Sequence, residues 1–485
     1  MPVWGISANE HDASLSVVDG SEILFASHAE RYSRKKNDAH LHPELIAAAR
    51  RWGEPEQIVW YERPLLKRTR KLYAGQHKHV WRADGAAYLG AYGLKAPVRY
   101  VGHHQSHAAA GFFTSPFDHA AILVVDAIGE WSTISAWEGR GRGLKQLWRQ
   151  RYPHSLGLLY SAFTQRIGFR PNEEEYILMG AAALGEPRYV DLIDQDFVLE
   201  RSAPRFRLKA NVHRGIRWWR PEITDNWSIA ASIQAITEEY LVGLVRWLAS
   251  RVRSPNLVMM GGLALNCVAN TKIARDGAFD RIWIMPNPGD GGSSLGAVAA
   301  FTRKHLNWTH PYLGENIDRP FPHAEVTAAL LAGEVIGIAN GRAEFGPRAL
   351  GNRSLIADPR GPETKDRVNR IKKREPFRPF APVIMAEHAD KHFDMPVAES
   401  PYMQFVAPVK RPDLFPAIAH VDNTARVQTV TRSQHPLLYG LLSCFHEKTG
   451  CPMLLNTSLN IKGEPLVNVW EDAQRFQALH GVRIF

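Results

Sequence analysis

The chain has 485 residues, 45% of them hydrophobic and 22% charged, a globular balance that excludes a disordered, collagen-like or fibrous polymer and asks for two or three domains. Lys and Arg outnumber Asp and Glu by 59 to 49, a net charge of +10, which points to a phosphate-bearing or polyanionic partner, with a basic surface kept for solubility as the other reading. Cys267, Cys444 and Cys451 are scattered without metal spacing, so neither a disulfide framework nor a zinc site is indicated, and a reducing cytoplasm fits. No run of about 18 apolar residues and no basic n-region followed by an apolar stretch is present, so neither membrane insertion nor export is expected.

In chain order, "VWGISANEHDASLSVVDGSEILFASHAER" predicts two short strands around a turn at Asp19-Gly20, with His11 and Asp12 in the loop before the second. Residues 63 to 82 carry seven Lys or Arg with little apolar periodicity, which predicts a solvated loop or helix. "VRYVGHHQSHAAAGFFTS" is a strand entering a helix, and "AAILVVDAIGEWSTISAWEG" is a buried strand, a glycine turn and a second strand. Residues 228 to 251 are helical. "NLVMMGGLALNCVANTKI" and "RIWIMPNPGDGGSSLGAVAAFTRKH" each read as strand, glycine turn, helix. Strands alternating with helices predict α/β layers. Pro, Gly and Asn accumulate over 307 to 325, which places a boundary there and domains at 1–315 and 316–485; no internal repeat is visible.

Three groups of residues are equipped for chemistry. His103 and His107 are four apart, so a helix puts both imidazoles on one face; Asp126 ends an apolar strand and Asp290 lies in "NPGDGGSS". Two histidines and two aspartates suit a divalent metal, Fe, Mn, Zn or Mg, and a turn-forming role is the alternative for either aspartate. Gly261-Gly262 and Gly289 to Gly292 follow strands and precede helices, where bare backbone N–H groups can approach a nucleotide phosphate. "GRAEFGPRALGNRSLIADPR" (341 to 360) holds Arg342, Arg348, Arg353 and Arg360 among glycines and prolines, followed by Lys372, Lys373, Arg374, Arg378 and Arg426. Any one arginine suits a surface ion pair, but together they form a convergent anion site.

These segments, with "HDASLSVVDG", "ERYSRKK", "HHQSHAAAGFFTSPF", "PHSLGLLYSAFTQRIGFRPNEEEY", "GGLALNC", "KKREPFRPFAP", "HVDNTARVQTV" and "LLNTSLNIKGEPLV", resemble the O-carbamoyltransferase family of nodulation-factor, cephamycin and tobramycin carbamoyltransferases. The resemblance runs from residue 5 to about 467. It implies an α/β protein with an N-terminal actin-like ATPase domain and a C-terminal YrdC-like domain. It further implies that ATP and carbamoyl phosphate form carbamoyl adenylate in the C-terminal domain, and that the N-terminal domain passes the carbamoyl group to an acceptor hydroxyl. The implied catalytic residues are His11, Asp12, Arg348 and Arg378, with His11 the candidate general base; its alternative role is to order the loop through Asp12. The implied nucleotide and carbamoyl phosphate contacts are Gly261, Gly262, Asn266, Gly291, Arg342, Arg353, Lys373, Arg374, Arg426 and Asn456.

Against the family pattern, Ala127 replaces a glycine in "DAIGE", Glu174 and Ile177 replace a glycine and a lysine in "EEYILMGAA", and Asn423 replaces a glycine in "HVDNTAR". The activation half is therefore expected intact and the acceptor half altered. Tyr73 and Trp81 in the basic stretch, and Arg214, Arg217 and Arg220 around Trp218-Trp219, suit phosphates and exposed bases. The acceptor expected on that basis is a nucleotide or a hydroxymethylated pyrimidine in DNA, against a small secondary metabolite or sugar. A non-catalytic nucleic-acid-binding relative is the reading from another class, and a homodimer is expected.

Overall fold

The structure is a computed structural model describing residues 1–76 and 84–485; Trp81 lies outside the described residues. The chain forms two compact units, one of Met1–Ala29 with Asn37–Trp308 and one of Glu30–Lys36 with Thr309–Phe485.

The first unit contains two sheets. Strands β1 (Pro2–Ser7), β2 (Ser14–Asp19), β3 (Glu22–His28), β4 (Gln57–Trp60) and β5 (Val98–Tyr100) assemble in the order β3-β2-β1-β4-β5. The chain therefore spends three strands, not two, on its opening segment. Strands β6 (His119–Gly129), β7 (Ser132–Arg140) and β8 (Gly143–Arg151), a separate hairpin of β9 (Val198–Ser202) and β10 (Arg205–Leu208), then β11 (Asn256–Met260) and β12 (Arg281–Ile284) follow; the second sheet has the order β12-β11-β6-β7-β8. In both sheets three antiparallel strands are succeeded by two strands parallel to the first. The unit is thus a duplication of backbone topology that leaves no trace as a residue repeat. Its central strand β6 is buried from Ala120 to Val125, which explains the continuous apolar run "AAILVV".

The two halves exchange helices. His103–Thr114 follows β5 of the first sheet but lies on the second, where Gly111 leaves no room for a Cβ against Val258 and Met260. Ser293–Thr302 follows β12 of the second sheet but lies on the first, against Gly5. The helices meet at Gly296, where a Cβ would stand 1.9 Å from the Ser106 carbonyl oxygen. This doubled sheet with exchanged helices is the actin-like ATPase architecture.

The second unit pairs β13 (Tyr312–Ile317) with β15 (Gly341–Glu344), and β18 (Val406–Pro408) with β19 (Thr424–Arg426). Its main sheet of β14 (Ile336–Ala339), β16 (Arg353–Ala357), β21 (Met453–Ser458), β17 (Ala381–Met385) and β20 (Gln428–Val430) runs in that order, with Leu355, Val383 and Leu454 packed against Leu441, Leu442 and Phe445 of helix Pro436–Thr449. The units divide at Trp308 rather than at residue 315, because Tyr312 already pairs with Glu344. The joining of Glu30–Lys36 to the second unit has no counterpart in the sequence reading.

The basic stretch also differs from expectation. Pro64–Tyr73 is a helix turned inside out: Lys67, Arg70 and Lys71 are buried, while Leu65 (71% exposed) and Tyr73 (65%) face outward. Acidic partners drawn from elsewhere explain it, since Lys67 pairs with Glu10 at 2.7 Å and with Glu62, and Lys71 pairs with Glu10 at 2.9 Å. Among the described residues no helix is long and apolar enough to cross a membrane.

Candidate functional site

The duplicated topology brings equivalent loops to one place. His11 and Asp12 lie in the turn between the first two strands of the first sheet, and Asp126 lies in the irregular end of β6, just before the corresponding turn at Glu130. His103 follows the fifth strand of the first sheet and Asp290 the fifth strand of the second. Folding by duplication therefore gathers at one centre residues that the chain keeps far apart.

At that centre His103, His107, Asp126 and Asp290 are all buried, and one ligand atom from each lies within 4.8 Å of the others. His107 Nε2 is 3.2 Å from His103 Nε2 and 3.2 Å from Asp290 Oδ1; His103 Nε2 is 3.3 Å from Asp290 Oδ1 and 3.4 Å from Asp126 Oδ2. Ligands about 2.1 Å from one metal ion are separated by roughly 3.0 to 3.4 Å at tetrahedral or octahedral angles, so this donor set fits a divalent transition metal. Both imidazoles have outer neighbours: Ser293 Oγ is 3.4 Å from His107 Nδ1, and the Glu62 carboxylate is 4.0 Å from His103 Nδ1. The backbone N–H of His103 donates to Glu130 Oε1, which also accepts from Arg63 N at 2.6 Å and so pins the start of the ligand helix. Burial lowers the proton affinity of His103, but Asp290 and Asp126 outweigh it and raise the pKa well above the usual imidazole range. A cluster this rich in carboxylate calls for a cation.

His11 stands at the edge of the centre, half-exposed, with Nδ1 3.1 Å from Asp12 Oδ2 and Nε2 3.9 Å from Asp290 Oδ2. Desolvation lowers its pKa, yet Asp12, Asp290 and Asp126 raise it to about 10. In this charge state His11 is a proton donor, and a basic role requires the neighbouring carboxylates to be offset.

The glycine turns serve the same centre. Gly261 has φ 89° and a Cβ there would stand 2.2 Å from the Val125 carbonyl oxygen, so the turn closes onto the end of β6 only with glycine; Gly262 N then donates to Asp126 Oδ1 at 3.2 Å. Gly291 accepts from Ser14 Oγ through its carbonyl at 2.6 Å. Asn266 caps the following helix and exchanges hydrogen bonds with Gln234 through both polar atoms.

In the second unit the arginines of the anion segment separate into different tasks. Arg353 is fully buried, and its five N–H groups meet the carbonyls of Asn468, Asn340, Gly341, Asn352 and Glu315; it holds the fold and has no N–H left for an anion. Arg342 is taken up by the carbonyls of Gly314 and Leu313, and Arg360 by Asp358. Arg348 is half-buried in the loop between Glu344 and Arg353. That loop is organised by Glu344, whose Oε1 accepts from the backbone N–H of Leu350 (2.8 Å), Asn352 (2.9 Å) and Arg353 (3.2 Å). Sequence reading passed over Glu344, although an acid inside an arginine-rich loop is the signal of an internal organiser.

Around Lys372 the cations do converge. Its Nζ is buried among the oxygens of Ser458 and Asn460, and burial together with Arg374, Arg378 and Lys36 holds its pKa well below the usual lysine range. Arg374 donates to Asn369 Oδ1 and lies 4.1 Å from the Phe380 ring centre; Arg378 is 3.5 Å from Glu375. Lys373 is exposed at the end of helix Thr364–Lys372, Arg426 lies half-buried in β19, and Asn456 in β21 donates to Gln428 Oε1 at 2.7 Å and to Ala349 O.

The segments read as a polyanion surface are divided between interior and surface: Lys67, Arg70 and Lys71 are buried, whereas Arg63, Arg214 and Arg217 are exposed. Beyond the buried helix cations, Trp219 packs on Phe163 and Phe197 and Arg220 pairs with Asp196. Among the described residues of these segments, Trp218, 78% exposed with Arg217 5.3 Å from its ring centre, keeps the stacking arrangement at the surface.

Residues 76–299 match the family described as Carbamoyltransferase N-terminus, and residues 327–484 match Carbamoyltransferase C-terminus. The chain is 37% identical to the Synechocystis sp. protein sll1178, over 98% of this chain and 93% of the relative. It is 32% identical to Nodulation protein NolNO of Sinorhizobium fredii, over 96% of this chain and 76% of the relative. It is 30% identical to 3'-hydroxymethylcephem-O-carbamoyltransferase of Amycolatopsis lactamdurans, over 97% and 95%. Since the matches reach into both units and each relative is covered along most of its own length, the chain belongs to the carbamoyltransferase family and is an enzyme that transfers a carbamoyl group to a hydroxyl.

Proposed function

We propose that the second unit, a YrdC-like domain, makes carbamoyl adenylate and that the first unit delivers its carbamoyl group to an acceptor hydroxyl. The activation consumes carbamoyl phosphate, water and ATP and yields carbamoyl adenylate, phosphate and pyrophosphate. The observation that carries this reading is the burial of Lys372 Nζ among the oxygens of Ser458 and Asn460 with Arg374, Arg378 and Lys36 beside it, burial first and these charges second lowering its proton affinity. Such a field offsets the charge that develops as pyrophosphate departs. Arg348 adds a planar donor group from the loop held by Glu344.

In the first unit, His103, His107, Asp126 and Asp290 would hold a divalent metal, which would supply positive charge to a nucleotide phosphate and to the leaving AMP. The acceptor oxygen attacks the carbamoyl carbon, the bond to the AMP oxygen breaks, and the acceptor's proton passes to His11 once the carboxylates beside it are offset. Asp12 fixes the imidazole through Nδ1.

For the acceptor we favour a small hydroxylated metabolite, because Lys67, Arg70 and Lys71 face inward, which takes three cations of the basic stretch out of reach of a nucleic-acid backbone. The exposed Arg217–Trp218 pair favours a second reading, a nucleotide or hydroxymethylated pyrimidine in DNA. The test is mass spectrometry after incubation with ATP, carbamoyl phosphate and a divalent metal, using hydroxymethylcytosine DNA, plain DNA and a panel of hydroxymethyl compounds and sugars. Gain of one carbamoyl group on a panel compound supports the first reading, and gain on the modified DNA alone supports the second. Absence of pyrophosphate release from ATP overturns the activation step itself.

A further inference from the structure

The heptapeptide "ERYSRKK" (30 to 36) is part of the second compact unit although the remainder of that unit starts at Thr309. It is tied in by its own contacts. Tyr32 Oη donates to Glu315 Oε2 at 3.2 Å, and Arg34 donates to the carbonyls of Leu466 (2.6 Å) and Pro465 (3.1 Å) and pairs with Asp472 at 3.4 Å. Arg31, by contrast, is 2% exposed and directs Nη2 to the Gly346 carbonyl at 3.2 Å, while its Nε and Nη1 are buried without a hydrogen-bond partner. A buried guanidinium with unmet donors is costly and is retained where an anion or polar oxygen completes it.

The same place holds the opposite need. Glu344 is buried, and its carbonyl lies 3.5 Å from Arg31 Nη2. Its Oε1 is filled by the three backbone N–H groups of the anion loop, but its Oε2 is buried with no donor. Unmet donors and an unmet charged acceptor that are not paired with each other describe a ligand carrying both an acceptor oxygen and an N–H. A carbamoyl group has this character: a carbonyl oxygen and an NH2 on one carbon, beside an anionic phosphate.

We propose that Arg31 and Glu344 recognise the carbamoyl group in the second unit, Arg31 through an oxygen and Glu344 Oε2 through the NH2. The inference rests on the reading of the second unit as the carbamoyl phosphate site. It makes Glu344 the residue that separates carbamoyl phosphate from acyl phosphates that carry a methyl group in place of NH2, because such a ligand leaves the carboxylate unmatched.

The test compares carbamoyl phosphate with acetyl phosphate by titration calorimetry on the full-length protein, alongside pyrophosphate release. Glu344→Gln keeps an oxygen for the three loop N–H groups and puts an NH2 in place of the unmet Oε2. It is expected to weaken carbamoyl phosphate at least tenfold and leave acetyl phosphate within twofold. Arg31→Met is expected to weaken both at least tenfold. Arg31→Lys, which keeps the charge but not the planar donors, is expected to act in the same direction and serves should the Met variant not fold. An equal effect of Glu344→Gln on both ligands, or unchanged affinities in the Arg31 variants, overturns the assignment and leaves Arg31 and Glu344 as a structural pair. A wild-type protein that releases no pyrophosphate overturns the underlying reading; one that does, with variants that fail to discriminate, overturns this inference alone.

Discussion

His103 and His107 present their Nε2 atoms to each other at 3.2 Å, one helical turn apart, and both face Asp290 Oδ1. Two buried imidazoles at this separation hold a proton between themselves and the carboxylate, or together hold a cation. Asp126, 3.4 Å from His103 Nε2, can serve either, and the gathering of all four donor atoms within 4.8 Å suits the second. Replacing His107 with Ala is therefore expected to remove the metal from the purified protein, read as loss of near-stoichiometric metal by elemental analysis with an unchanged circular dichroism spectrum. Glu130→Gln, which loosens the carboxylate holding His103 N and Arg63 N, is expected to lower metal affinity by about 10- to 100-fold without abolishing it. Equal metal content in wild type and the His107 variant would mean the four residues are a proton-sharing network.

Arg348 and Arg353 are five residues apart and of one type, yet their variants are expected to differ in kind. Arg353 is buried among backbone carbonyls, so Arg353→Met leaves several acceptors unmet and is expected to cost about 3–5 kcal/mol of stability, measured by denaturant unfolding. Arg348 is half-buried on the loop; Arg348→Ala is expected to lie within about 1 kcal/mol of wild type and to abolish pyrophosphate release. Pyrophosphate release retained by the Arg348 variant would move the activation site elsewhere.

The contrast shows what a linear reading can reach. The four-residue centre was legible because each signal is local: i, i+4 histidines on a helix, and aspartates at the ends of apolar strands. The run of β6 was legible because burial on both faces needs no partner to be recognised. Arg353 and Arg348 look alike in sequence because what separates them is the set of carbonyls around each, contributed by residues as distant as Glu315 and Asn468. Lys67 reads as a surface charge until Glu10 and Glu62 are folded against it. The duplicated sheet is invisible because topology repeats without residue identity. Arg31 and Glu344 meet only through the inclusion of residues 30 to 36 in a unit that otherwise lies near the other end of the chain.

His435 gives the second unit a dependence on pH. Burial, and the charge of His310, hold its pKa down to about 4, and its Nδ1 accepts from Leu438 N to cap helix Pro436–Thr449. The unfolded chain, with an imidazole pKa of about 6.5, binds more protons between these values. Stability contributed by neutral His435 is therefore full above about pH 6.5 and is lost, by up to roughly 3 kcal/mol, as pH falls toward 4. His435→Asn retains an acceptor for the cap and has no proton to bind. Denaturant midpoints compared at pH 7.5, 6 and 5 should converge between variant and wild type as the pH falls; a gap independent of pH would show that folding does not lower the pKa of His435.

Lys67 tests whether the basic helix is structural or a nucleic-acid surface. It is 1% exposed between Glu10 and Glu62. Desolvation raises the Glu10 pKa, but Lys67 and Lys71 outweigh it and bring it to about 2, so their pairing contributes stability that is present above about pH 4.5 and lost as pH falls through 2. Lys67→Met leaves the buried Glu62 carboxylate without its lysine and Glu10 with Lys71 alone, and is expected to cost about 3–5 kcal/mol at neutral pH, with recovery on mild acidification as a carboxylate takes up a proton. Trp218→Ala, at an exposed ring, is expected to leave stability within about 0.5 kcal/mol. Binding of a nucleic-acid acceptor, where it exists, should then weaken in the Trp218 variant and keep its salt dependence in the Lys67 variant. A shallower salt dependence in Lys67→Met, with stability unchanged, would return the helix to the surface role that its sequence suggests.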